Sequence, residues 1–136
     1  MGIFVQPKTS LKMSFSRVEA YHNSRDAVAV DGSFATGGIN ANITDSVAAN
    51  NKGSGFSAFS SNTTVASLLV TRSATANNGT GILASGVGTT ARIGQSAITG
   101  NTHTWQQIFG TVQSFGDNYI AGNADGDPAP APIARK

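Results

Sequence analysis

The sequence predicts an all-β protein, a parallel solenoid of about five coils with three short strands in each. Three observations predict it. A seven-residue pattern recurs, seen most clearly in Asp45-Ser46-Val47-Ala48-Ala49-Asn50-Asn51, and its closing asparagines fall at Asn23, Asn51, Asn78, Asn101 and Asn123. The steps are 28, 27, 23 and 22 residues, a range in which a repeat means stacked structural units. Between these closures, apolar residues alternate with polar ones over short runs, the period of a half-buried strand. No window carries an i, i+3, i+4 apolar pattern free of Gly or β-branched interruption, so helix is not expected anywhere.

Each coil follows from its residues in turn. The first opens with Ile3 and Val5 on one side, turns at Pro7-Lys8-Thr9-Ser10, continues through Leu11, Met13 and Phe15, bends at Ser16-Arg17 and closes at Asn23. In the second, Val28 and Val30 match Ile3 and Val5, and a longer turn precedes Ile39, Ala41 and Ile43. The third opens at Gly55-Phe56-Ser57-Ala58, turns at Asn62-Thr63-Thr64 and places Ala66, Leu68 and Val70 inward. The fourth opens at Gly81-Ile82-Leu83-Ala84, turns at Gly86-Val87-Gly88 and brings in Ala91 and Ile93. The fifth reads as shorter, with an irregular stretch from Trp105 to Gly110 before Phe115, Asn118 and Ile120. The solenoid domain therefore covers 1–123. Residues 124–136 read as an extended or disordered tail, because Pro128, Pro130 and Pro132 cannot donate to a ladder.

Stacked in register, equivalent residues lie about 4.8 Å apart. The expected inner columns are Phe15/Ile43/Val70/Ile93/Phe115, Leu11/Ile39/Ala66 and Ala20/Ala48/Thr75/Ile98/Ile120. Asn23, Asn51, Asn78, Asn101 and Asn123 form a structural ladder, since Asn tolerates left-handed backbone and its amide bonds locally or to its neighbour up the column. Arg17, Asp45 and Arg72 alternate in sign at a bend, where exposed pairs contribute under about 1 kcal/mol each and set register more than stability.

Composition narrows the function. Hydrophobic residues at 39% include periodic Ile, Val, Leu and Phe, which argues against disorder. A net charge of +2 without a dense Lys/Arg patch gives no nucleic-acid signal. With no cysteine there is no disulfide framework and no thiolate chemistry. No apolar run is long enough for a membrane-spanning helix, and no basic start followed by an apolar run marks a signal peptide.

Residues 2–123 resemble the right-handed parallel β-helix superfamily, the pectate-lyase-like fold. The resemblance is carried by the Gly-Ile-x-(Ala/Val) strand openings, the Ser-x-(Ala/Ile)-x-x-Asn coil endings and the closing run Phe115-Gly116-Asp117-Asn118-Tyr119-Ile120-Ala121-Gly122-Asn123, which looks like the last coil of bacterial β-helix repeat proteins. It implies the fold and an exported or cell-surface setting. It leaves the activity open, because such repeats occur in lyases, hydrolases, tail spikes and adhesins alike.

Catalytic chemistry is sparse. The carboxylates are Glu19, Asp26, Asp31, Asp45, Asp117, Asp125 and Asp127. A glycosidase pair needs two of them within several ångströms, whereas Asp45 and Asp117 fall three coils apart, roughly 14 Å at the strand spacing. Arg92 or Lys12 would be the proton-abstracting base of a Ca²⁺-dependent lyase, but no acidic cluster accompanies either. His22 and His103 are too far apart to share a metal, and Asp125-Gly126-Asp127 lacks the later Glu of a Ca²⁺ loop. No catalytic, cofactor-binding or metal residue is assigned, and no cofactor is expected. Phe4, Tyr21, Phe59, Trp105, Phe109 and Tyr119 are expected to face outward, with Phe4 and Phe59 sharing one face.

Two function classes follow. The first is a non-enzymatic structural or interaction module, a fragment of a larger exported protein, self-associating through an uncapped N-terminal coil whose core residues are Ile3, Val5, Leu11, Met13 and Phe15. The alternative is a carbohydrate-binding or polysaccharide-degrading protein.

Overall fold

Alternating small, β-branched and aromatic residues build sixteen strands and no helix among the described residues, 1–61 and 64–134 of a computed structural model. They come in triplets. The first is β1 (Ile3–Val5), β2 (Leu11–Ser16) and β3 (Glu19–Tyr21). The second is β4 (Val28–Asp31), β5 (Ile39–Thr44) and β6 (Val47–Ala49). The third is β7 (Ser54–Phe59), β8 (Ala66–Thr71) and β9 (Ala74–Ala76), and the fourth β10 (Thr80–Ser85), β11 (Thr89–Gly94) and β12 (Ala97–Thr99). The last is β13 (His103–Ile108), β14 (Thr111–Ser114) and β15 (Tyr119–Ala121), followed by β16 (Ala131–Pro132). Of the turn expected at Asn62-Thr63-Thr64, Asn62 and Thr63 lie outside the described residues, as do Arg135 and Lys136 of the tail.

Three parallel sheets result, ordered β1-β4-β7-β10-β13, β2-β5-β8-β11-β14-β16 and β3-β6-β9-β12-β15. The chain is a parallel β-solenoid in which about four turns carry it from the first triplet to the last. Each coil buries its inward face only against its neighbours, so stability is a sum of coil-to-coil interfaces.

The core runs as columns down the axis. Ile3, Val28, Phe56, Ile82 and Trp105 share one register in the first sheet. Met13, Ala41, Leu68, Ala91 and Val112 share another in the second. Ala20, Ala48, Thr75, Ile98 and Ile120 stack in the third, as the spacing requires. The column Phe15/Ile43/Val70/Ile93 ends on Ser114 rather than Phe115. The last bend holds one residue more than the bend above it: Ile93 and Ala97 are four apart, whereas their partners Ser114 and Tyr119 are five apart. Gly116, at φ +82°, absorbs the extra residue.

The stretch from Trp105 is also more regular than its sequence suggests. It is a full strand, and Trp105 points toward the core instead of outward. The polar Gln107 occupies the inner position two residues on and interrupts the apolar alternation; its Oε1 accepts the Val112 amide at 3.2 Å.

Among the described residues the Thr75 hydroxyl, in a side chain 1% exposed, is a buried polar atom without a hydrogen-bond partner. A buried donor without an acceptor is costly, and valine has nearly the same shape. Thr75→Val should therefore raise stability by about 1 kcal/mol in a urea titration, whereas a loss would mean that the hydroxyl is bonded.

Candidate functional site

The bends between sheets are hydrogen-bonded columns, and these columns have a direction. Asn51 Oδ1 accepts both the Asn23 amide (3.0 Å) and the Asn23 Nδ2 (2.9 Å). Asn78 does the same for Asn51, Asn101 for Asn78, and Asn123 for Asn101, at 2.8 to 3.0 Å. The second hydrogen of each Nδ2 goes to a strand carbonyl, such as that of Ala48 from Asn78 and that of Thr75 from Asn101. Asn51, Asn78, Asn101 and Asn123 are all buried, Asn101 completely. The left-handed backbone falls one position earlier than the ladder itself, at His22, Asn50, Asn77, Gly100 and Gly122 (φ 53° to 76°). That placement turns each ladder side chain inward from the bend.

A second column, at the bend between the second and third sheets, runs the same way. The Val18 amide donates to Ser46 Oγ, Ser46 to Ser73 and Ser73 to Ser96, at 3.1 to 3.2 Å, and Ser96 donates to Asn118 Oδ1 at 2.9 Å. The recurrence of Ser at this position is visible in the sequence, but its role as amide acceptor depends on register. On the outside of this bend Arg72 grips Asp45 with two hydrogen bonds, 2.8 and 3.0 Å, and this pairing holds the Asp45 carboxyl below the usual aspartate value.

The C-terminal end of these columns is closed by the chain itself. Asp127 Oδ1 takes the Asn123 amide and Nδ2, both at 2.7 Å, and Oδ2 takes the Gly122 amide at 2.9 Å. A carboxylate thus stands where a sixth ladder side chain would accept. Asp125 receives the Thr104 amide at 2.7 Å and the Thr104 hydroxyl at 2.6 Å. Trp105 Nε1 donates to the Pro128 carbonyl at 3.0 Å. Ala131–Pro132 adds a last parallel strand to β14, with Ile133 donating its amide to Ser114 at 2.8 Å.

The hydrogen bonds from Asn123 and Gly122 hold the Asp127 carboxyl below its ordinary value. Burial works against ionisation of Asp125, but the Thr104 hydroxyl and amide outweigh it and the net shift is also downward. A carboxyl with a depressed folded-state pKa adds stability that is present above its unfolded pKa and is lost as pH falls through the folded one. The midpoint of thermal unfolding should therefore drop steeply on acidification below about pH 4, and Asp125→Asn/Asp127→Asn should flatten that drop.

The N-terminal end differs. β1, β2 and β3 are the outermost strands of their sheets, with no strand of the described residues beyond them. Ile3, Val5, Leu11, Met13 and Phe15 are each only half buried there. Asn23 donates to Asn51 and to the Tyr21 carbonyl, and its Oδ1 accepts no hydrogen bond from the described residues.

On the outer face of the first sheet, a groove of about 370 Å³ runs between Phe4 and Phe59, with Arg25 and Asp31 beside them and Ser33 and Ser85 in its wall. Asp31 is held by Gln6 Nε2 (2.7 Å) and the Ser33 amide (2.8 Å).

The candidate catalytic residues do not converge. Arg92 hydrogen-bonds Gln113 at 3.1 Å in a shallow groove with Asn40, Asn42 and Ser67, and no carboxylate lines it. Lys12, His22 and His103 are exposed at separate places. Among the described residues no three His, Asp or Glu side chains come together as a metal site, and no helix is long and apolar enough to cross a membrane. Asp26, buried at 8% exposure, serves the fold: it accepts the Ser54 amide (2.7 Å) and the Ser57 hydroxyl (3.0 Å). No family model, curated protein or solved structure matches the chain.

Proposed function

We propose that this chain is a non-enzymatic interaction module of the right-handed parallel β-helix superfamily, and that it self-associates through the edge formed by Ile3, Val5, Leu11, Met13 and Phe15. The observation that carries the reading is the contrast between the two ends. The C-terminal end is closed by two aspartates and an added strand. At the other end, among the described residues, no strand lies beyond β1, β2 and β3 and nothing donates to Asn23 Oδ1. Bare strand edges pair with other chains, and covering half-buried Leu, Met and Phe adds about 1 kcal/mol or more for each side chain.

Light scattering during gel filtration tests it. The mass should exceed that of one chain and rise with concentration, and Val5→Lys or Met13→Lys should return it to one chain. An unchanged mass in both variants would overturn the reading.

Carbohydrate binding is the second reading, favoured by the paired Phe4 and Phe59 rings in a groove lined by hydroxyls. Glycan binding that is lost in Phe59→Ala and kept in Met13→Lys would belong to it.

A further inference from the structure

The polarity of the ladder decides what fits the open edge. Side chain to side chain the ladder runs one way: each asparagine donates its amide and one Nδ2 hydrogen to the next Oδ1 toward the C-terminal end, and Asn51, Asn78, Asn101 and Asn123 accept from the asparagine before, the other Nδ2 hydrogen going to a strand carbonyl. The starting edge therefore presents an acceptor, Asn23 Oδ1. Two such edges placed face to face would set acceptor against acceptor. What completes Asn23 is a coil whose ladder donors point outward, and this chain contains one: the last coil, whose Asn123 amide and Nδ2 are now held by Asp127.

The core columns agree. Continued from one copy into the next, they would set Trp105 over Ile3, Val112 over Met13, Ser114 over Phe15 and Ile120 over Ala20. Small meets large at two of these four contacts, which suits close packing.

The C-terminal segment mimics this neighbour. Asp127 accepts the same two donors as a further asparagine would, and β16 lies on β14 where β2 of another copy would lie. It also competes with growth, so the intact chain associates only as the cap opens, at high concentration, and the cap-released chain associates further. Ile133 donates inward to Ser114, so Pro132 occupies the alternate position, whose amide would face outward, and it has none to offer. Proline on an edge strand prevents the addition of another strand.

We propose that residues 124–134 are a removable cap, and that the partner of the N-terminal edge is the uncapped last coil of a second copy, stacked head to tail. This rests on the self-association reading and adds its polarity and its control.

The chain has no cysteine, so introduced thiols report contacts without ambiguity. Tyr21 and Ala121 head and close one column of the third sheet. Within a chain they are four coils apart, whereas across a head-to-tail junction they would be neighbours at about 4.8 Å, within disulfide reach. Tyr21→Cys and Ala121→Cys are made as separate full-length proteins, each also carrying Asp125→Ala/Asp127→Ala to release the cap. Oxidation of the mixture should give a linked dimer that neither protein gives alone. The cap-released chain without cysteine should sediment as species larger than a dimer. Linkage of the Tyr21→Cys protein to itself without a mixed product would overturn the polarity and leave self-association standing. A cap-released chain that keeps its β-sheet circular dichroism but stays monomeric would overturn the cap. Should the double substitution unfold the chain, the same cysteines go into Asp127→Ala alone, which frees the Asn123 donors and keeps Asp125 on Thr104. A mixed product there supports the junction, and its absence overturns it. Failure of Val5→Lys and Met13→Lys to alter the mass is the separate result that removes the underlying reading.

Discussion

Asn101→Ala should be among the most damaging single substitutions in this protein, at about 4 kcal/mol. Asn101 is fully buried and sits inside the ladder with partners on both sides. Its Oδ1 accepts the Asn78 amide (2.9 Å) and Nδ2 (3.0 Å), and its own Nδ2 donates to Asn123 Oδ1 (3.0 Å) and the Thr75 carbonyl (3.1 Å). Alanine strands two buried N–H groups at Asn78, each worth roughly 1–3 kcal/mol when left without an acceptor. The polarity of the column gives an internal control. Asn23→Ala removes donors only, because Asn23 accepts from no described residue, and it strands acceptors instead of N–H groups. It should cost about 1 kcal/mol. Urea titrations of the two variants at constant m-value decide the matter; equal losses would mean that the column contributes packing and not hydrogen bonding.

Gly86→Ala is expected to cost about 3 kcal/mol or more, for a different reason. Gly86 has φ +110°, a conformation that side chains rarely adopt, and a Cβ built there runs into the carbonyl oxygen of Ser60 in the neighbouring coil. That oxygen belongs to backbone and cannot rotate away. Gly126 makes the comparison clean: its φ is +85°, but a Cβ there meets nothing within 4 Å. Gly126→Ala should cost only about 1 kcal/mol. Thermal unfolding of the pair separates collision from backbone preference, and a Gly86→Ala protein as stable as Gly126→Ala would refute the collision.

Much of the fold is legible in the sequence because one residue type marks every coil. With the closing asparagines aligned, the register of Ile39 on Ala66 or Ile98 on Ile120 follows by counting along strands of fixed period. The count fails where length changes inside a bend, which is why Ser114 and not Phe115 stands below Ile93. It fails again where a polar residue takes an inner position, as Gln107 does beside Trp105. The closing role of Asp125 and Asp127 is illegible for a related reason. Asp127 follows Asn123 by four residues, well short of a coil, so it belongs to no repeat. The groove between Phe4 and Phe59 draws on residues of separate coils whose outward side chains obey no period. Phe4 and Phe59 on one face are readable as alternation; Arg25 and Ser85 beside them are not.

The coils shorten from the first to the last, and the connections between the first and second sheets account for much of it. Those connections are residues 6–10, 32–38, 60–65, 86–88 and 109–110. The bends that carry the serine column stay at two residues through the first four coils, 17–18, 45–46, 72–73 and 95–96. One corner keeps the coils in step while another takes up the slack. Segments grafted into 32–38 should leave every core column aligned, and the same insert at 72–73 should break the chain's register. A protein built this way can gain or lose surface loops by insertion and deletion at one corner while its interior remains unaltered.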